Sequence, residues 1–256
     1  MTDGAALLSL AQDWLWQAFV IFLRVGAALT LLPGFGEQSV PARIKLALAI
    51  GLTLALSVWV DPVPGAPWHL PALARFLVTE TLAGLLFGVV LRMFVMVLQT
   101  AGTMAAQSTS LSQILGNSAE PMPAIGHLMV IAGLAFAMTT GFHVKVLVFL
   151  AQTYDLVPPG RLPSPALVSE WGTAQVAQMF SLAFRLAAPF VIVALMYNLT
   201  LGVINRAMPQ LMVSFVGAPV ITAGGLILLA LLMPTILMVW MQALDAFLLD
   251  PAGGPG

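Results

Sequence analysis

Hydrophobic positions along this chain come in long blocks separated by short polar turns, with no run of strand-like alternation. A helix needs about 20 apolar residues to cross the hydrocarbon core of a bilayer. Residues 14–33 make the first such block, which ends at Pro33-Gly34. Residues 44–60 make a shorter second block, closed by DPVPGAP, and a third runs from about 72 to 98. The segment 99–123, QTAGTMAAQSTSLSQILGNSAEPMP, is too polar for an ordinary span. A fourth block covers 124–153, and 154–171 is a Pro-rich polar loop. Residues 172–204 and 211–249 form the last two blocks, each long enough to tilt, kink or project beyond a membrane. The pattern predicts an all-α, polytopic membrane-type protein of about six long helices, grouped as four and then a hairpin.

Composition sharpens this. Hydrophobic residues make up 60% of the 256 and charged residues 7%, against about 25% charged in soluble domains. Such a chain lies in a membrane or buries nearly all its surface in partners. The net charge of −1 supplies no field for nucleic acid. The absence of Cys removes disulfides, thiolate catalysis and Cys-based metal sites. The start, MTDGAALLSLAQDW, has no basic region ahead of its apolar stretch, so the first block is expected to be a retained helix. Arg43, Lys45 and Arg206 sit in turns, whereas Asp3, Asp13, Asp245 and Asp250 mark the two ends. The positive-inside rule then places the turns at 34–45 and 205–210 in the cytoplasm and both termini outside.

Catalytic chemistry is sparse. The three His (His69, His127, His143) fall in no metal-binding spacing, and HExxH, GxSxG and Walker A patterns are missing. No enzyme activity, cofactor or metal is expected. Charges inside apolar blocks carry more information, because an ionisable group in lipid costs several kcal/mol, roughly, unless it is paired. Arg24 lies in the first block, Glu80 and Arg92 in the third, Lys145 in the fourth and Arg185 in the fifth. Glu80, Gly84, Gly88 and Arg92 recur every four residues and form one slowly drifting helical stripe. Its Gly84-Leu85-Leu86-Phe87-Gly88 step is a GxxxG, which lets another helix approach closely. The stripe is either a general packing face or a face for specific partner helices. Gly126, Gly133 and Gly141 make a similar small-residue face, and Pro189, Pro219 and Pro234 favour kinks in the last two helices. The 99–123 segment is either a solvent loop or a loop lining or plugging a pore, since non-helical backbone at membrane depth survives only inside protein or along a cavity.

Three stretches resemble one family. GVINRAMPQLMVSFVGAPV at 202–220 resembles the signature hairpin of the FliR family, a membrane component of the flagellar type III secretion export gate. SVPARIKLALAIGLTLAL at 39–56 resembles that family's segment after the first helix, and 101–123 sits where the family has its pore loop. The resemblance implies a four-helix FliP-like part (1–171, including the pore loop 99–123) followed by a FliQ-like helical hairpin with a tail (172–256). It implies a non-enzymatic subunit of the bacterial inner membrane, in the flagellar basal body. Such a subunit helps form and close the channel that passes unfolded flagellar proteins. The implied partners are FliP-like and FliQ-like subunits, FlhB-like and FlhA-like export components, and the exported chains.

Site roles follow from the same resemblance. Gln107, Ser108, Thr109, Ser110, Leu111, Ser112, Gln113, Ile114, Leu115 and Gly116 would project into the channel and help shut it. Asn205, Arg206, Pro209, Gln210 and Leu211 would form the cytoplasmic entrance, with Pro41, Arg43 and Lys45 as a second polar turn facing partners. Arg24, Glu80, Gly84, Gly88, Arg92 and Arg185 would make inter-subunit or inter-helix contacts. Two alternatives stay open: a virulence-type homologue of the same gate, and a small-solute secondary transporter. The transporter should show paired Gly/Pro interruptions in two related halves.

Overall fold

The computed structural model describes residues 2–37, 39–63, 69–108, 124–207 and 213–252. Among them seven helices follow one another: α1 (Thr2–Leu29), α2 (Ala42–Leu56), α3 (Leu70–Ser108), α4 (Ala124–Thr139), α5 (Phe142–Leu156), α6 (Pro165–Ala207) and α7 (Val213–Leu249). The all-α expectation stands, and the helix ends differ from it in instructive ways.

α3 runs ten residues past the expected end at 98, through the polar stretch Gln99–Ser108. Polarity does not end a helix when the side chains satisfy themselves along it: the Thr103 hydroxyl donates to the Gln99 carbonyl at 2.8 Å, and the Ser108 hydroxyl to Ala105 at 2.8 Å. The block expected over 124–153 is broken instead into α4 and α5 at Gly141, whose φ of 82° lies in the left-handed region. α6 begins seven residues before the expected 172, at Pro165. Ser164 precedes it and accepts the Leu167 N–H at 3.3 Å, so a serine cap followed by proline at the first helical position starts the helix.

Among the described residues three helices are long and apolar enough to cross a membrane: α3, residues 165–204 of α6 and residues 220–249 of α7. α4 and α5 together make a fourth candidate as a broken pair. The expected spans in the first two blocks are corrected. α2 has 15 residues, which at about 1.5 Å per residue is well short of a bilayer. α1 stops at Leu29, so any long stretch of it includes polar positions such as Gln12, Asp13 and Gln17.

The chain divides into two compact units. The first holds residues 1–93, 141–174 and 248–256. Its core is a stripe on α1 (Trp16, Val20, Ile21, Val25, Ala28 and Leu29), each at most 2% exposed and spaced as one helical face. Phe76 meets Trp16 edge-on at 5.3 Å, and Phe87 meets both Phe149 (5.8 Å) and Trp171 (6.0 Å). The Trp171 indole donates to the Pro251 carbonyl at 2.9 Å, just after α7. α1 also packs on α2, and α2 on α5.

The second unit holds residues 94–140 and 175–247. The fully buried Trp240 donates its indole N–H to the Phe94 carbonyl at 2.8 Å, while Phe94 packs on Phe247 at 5.6 Å. Gly102 of α3 lies against Gly126 of α4 so closely that a Cβ on Gly102 would stand 2.3 Å from the Gly126 Cα. α7 is apolar all round, yet only 22% of its most apolar window is buried within the chain, against 56% for α3. Its bare apolar faces require lipid or other protein around them.

Candidate functional site

Of the charged residues singled out in the apolar blocks, Arg24, Glu80 and Arg92 lie in the first unit and Arg185 in the second. Arg24 and Glu80 are both 0% exposed, and the Arg24 Nη2 lies 2.8 Å from Glu80 Oε2. Arg24 Nε donates to the same oxygen at 2.9 Å. The remaining guanidinium donors reach backbone carbonyls: Nη1 that of Thr153, and Nη2 that of Val157, each at 2.8 Å. The other Glu80 oxygen accepts the Gly160 N–H at 2.8 Å and the Thr79 hydroxyl at 3.3 Å. The Arg24 guanidinium also lies over the Tyr154 ring, 3.9 Å from its centroid. One buried ion pair therefore joins α1, α3, the end of α5 and the loop that follows it. A buried pair holds its place only if its spare donors and acceptors are met, and here backbone groups meet them.

Glycine geometry makes the pairing possible. A Cβ on Gly84 would stand 2.2 Å from the Arg24 carbonyl oxygen, and one on Gly88 would stand 3.1 Å from that of Ala28. The absent side chains let α3 reach α1 closely enough for Glu80 to meet Arg24. Gly160 has a φ of 72°, and a Cβ there would press on Phe76 Cε1 at 2.9 Å. Only glycine turns the chain there and delivers its N–H to Glu80. One helical step beyond Gly88, Arg92 forms an ion pair with Glu37, whose side chains are 37% and 28% exposed. All four stripe residues thus lie against α1 or the turn after it.

The other singled-out residues are more dispersed. Pro41 caps α2, its carbonyl accepting from Ile44 and Lys45 at 2.9 and 3.2 Å. The Lys45 ammonium donates to the Gly36 carbonyl at 2.9 Å, and Arg43 is exposed. Arg185 is exposed on α6. Asn205 and Arg206 lie in the last turn of α6, where the exposed Arg206 cation faces the negative end of the helix dipole. Pro209, Gln210 and Leu211 lie outside the described residues, and so do Thr109, Ser110, Leu111, Ser112, Gln113, Ile114, Leu115 and Gly116. Gln107 and Ser108 close α3 as helical residues. Among the described residues no group of His, Cys, Asp and Glu could hold a metal ion.

Thr153, Tyr154, Val157 and Gly160 are neighbours of this ion pair that the pattern of the sequence did not reveal. The one available signal was Pro158-Pro159-Gly160, a turn sequence directly after an apolar helix.

Comparison with known proteins extends the picture. The profile of the bacterial export proteins, family 1, matches residues 15–247. The chain is 35% identical over 231 residues to the flagellar biosynthetic protein FliR of Caulobacter vibrioides, covering 88% of this chain and 91% of that protein. It is 30% identical to the flagellar biosynthetic protein FliR of Escherichia coli, covering 88% and 87%. The protein of that name from Aquifex aeolicus is 26% identical, with 88% of each chain covered.

Proposed function

This chain belongs to the bacterial export proteins, family 1, among the FliR proteins, and on that premise we propose that it helps form and close the channel that passes unfolded flagellar proteins across the inner membrane. It is a membrane component of the flagellar export apparatus. The observation that carries the reading is the family match over residues 15–247, combined with relatives named for flagellar biosynthesis.

The under-covered helices support it. Leu195, Met196 and Leu199 of α6 and Leu226, Ile227 and Leu231 of α7 are exposed on the isolated chain. Neighbouring FliP-like and FliQ-like subunits, together with lipid, would cover such faces. In this reading residues 1–171 act as a FliP-like part and 172–256 as a FliQ-like hairpin. The segment 107–116 helps shut the channel, and 205–211 meets an FlhB-like partner or incoming polypeptide at the cytoplasmic entrance, with FlhA-like components nearby. The role is non-enzymatic: the chain shapes a passage and performs no bond chemistry.

Deletion of the gene tests this directly. Flagellar filaments and motility should disappear and return on complementation, and mild-detergent purification of the tagged chain should bring FliP-like and FliQ-like subunits with it. Normal filaments in the deletion strain would overturn the proposal.

A further inference from the structure

The charges on α3 are spaced to the thickness of a bilayer. Arg75 and Arg92 stand seventeen residues apart, about 26 Å along a helix, close to a hydrocarbon core of about 30 Å. Glu80 is the one charge between them, and it is sealed in the ion pair with Arg24. Arg75 therefore marks one headgroup level on the first unit. Leu86, eleven residues further on, falls about 16 Å deeper, near the bilayer centre.

An apolar groove of about 370 Å³ runs at that depth. Leu82, Ala83 and Leu86 of α3 form one wall, and Leu162, Pro163 and Val168 form the other. No charged residue lines it. The second wall is fixed in place: Glu80 accepts the Gly160 N–H at 2.8 Å, and Ser164 accepts the Leu167 N–H at 3.3 Å. Arg75, Leu82 and Leu86 share one helix face, at spacings of seven and eleven residues. The Arg75 guanidinium lies against Gly160, where an added Cβ would stand 3.0 Å from its Nη2. Arg161 follows Gly160 and precedes Leu162 of the groove wall. Each wall thus has an arginine at its shallow end. Both arginines are exposed, and neither is in an ion pair among the described residues.

We propose that this groove holds one acyl chain of an anionic glycerophospholipid whose phosphate sits between Arg75 and Arg161. The order of the chemistry along the helix matches that ligand: cations at headgroup depth, hydrocarbon walls at chain depth. Guanidinium forks suit phosphate oxygens, which they bind in bidentate fashion. An apolar partner helix would fill the groove but leave both cations without an anion. The site needs only the membrane setting, so it stands or falls separately from the channel reading.

The test uses the full-length chain, delipidated in detergent and titrated with phosphatidylglycerol or phosphatidylcholine of identical chains. Native mass spectrometry counts the bound lipid. The wild-type chain should hold one phosphatidylglycerol roughly tenfold more tightly than phosphatidylcholine, since each basic residue near an anionic headgroup contributes about fivefold. Arg75→Gln/Arg161→Gln should reduce that preference to about twofold or less. Leu82→Trp fills the groove from an exposed position. It should weaken both lipids severalfold and leave the thermal unfolding midpoint of the lipid-free chain unchanged. Equal binding of the two lipids by the wild-type chain, or a preference that survives in the arginine double variant, overturns the proposal. So does lipid binding that Leu82→Trp leaves untouched. Glycerol phosphate, which has the anion without the chain, should compete poorly; competition equal to that of the lipid overturns the acyl-chain site. In cells, a photoreactive phenylalanine in place of Leu82 should cross-link to lipid. A cross-link to another polypeptide assigns the groove to a subunit interface and overturns the proposal.

Discussion

Arg24 is the residue on which the first unit turns, since one guanidinium reaches Glu80, Thr153 and Val157 with no exposure to solvent. Removing one partner from a buried pair leaves the other uncompensated, which costs about 3–5 kcal/mol. Replacing both partners with apolar groups of similar volume costs far less and can be neutral. Glu80→Ala should therefore lower the thermal unfolding midpoint of the purified protein sharply. The Arg24→Met/Glu80→Met double variant should recover a large part of that loss. Its recovery will be incomplete, because the Val157 carbonyl and the Gly160 N–H lose side-chain partners as well. If the double variant is no more stable than Glu80→Ala, the pair is not the main cost.

For the helices, the contrast between two glycines measures how much close approach matters. Gly51 on α2 has nothing within 4 Å of a would-be Cβ, whereas at Gly84 on α3 the nearest atom is backbone at 2.2 Å. Gly51→Ala should stabilise by about 0.5–1 kcal/mol, the usual gain from replacing a mid-helix glycine. Gly84→Ala has the same gain available, but overpacking against an immovable carbonyl costs about 1–3 kcal/mol. The net effect should be destabilising, and α3 should part from α1 enough to weaken the Arg24–Glu80 contact. Paired thermal melts of the two variants check this; equal shifts would show that the GxxxG approach is not strained. The Glu80–Arg92 stripe was legible because a four-residue spacing falls on one helical face whatever the tertiary context. Its partners were not legible. Arg24 lies 56 positions from Glu80, and the Thr153 and Val157 carbonyls that complete the site are backbone groups present at every residue.

At the scale of the molecule, apolar surface on α6 and α7 is left uncovered among the described residues. Ile227 and Leu231 are 62% and 71% exposed on the isolated chain. A Lys placed at the centre of a lipid-facing helix costs about 2.5–3.5 kcal/mol on an insertion scale, and one placed in a packed interface leaves an unpaired charge. Ile227→Lys should then fail to restore motility in a deletion strain and should recover less of the export apparatus on purification. A mutant that swims normally would mean that this face is open to water.

What the sequence determined by itself was whatever depends on local composition and period. The helical class, the membrane setting, the stripe on α3 and the family resemblance over 39–56 and 202–220 all rest on short-range pattern, and the match to the export family over 15–247 agrees with that resemblance. Tertiary structure decided the rest. It brought the Arg24 guanidinium to Glu80 and to the Thr153 and Val157 carbonyls, and the Gly160 N–H to Glu80. That outcome depends on which distant backbone groups satisfy a side chain. It is not set by neighbours in sequence and is settled only when elements far apart in the chain are packed together.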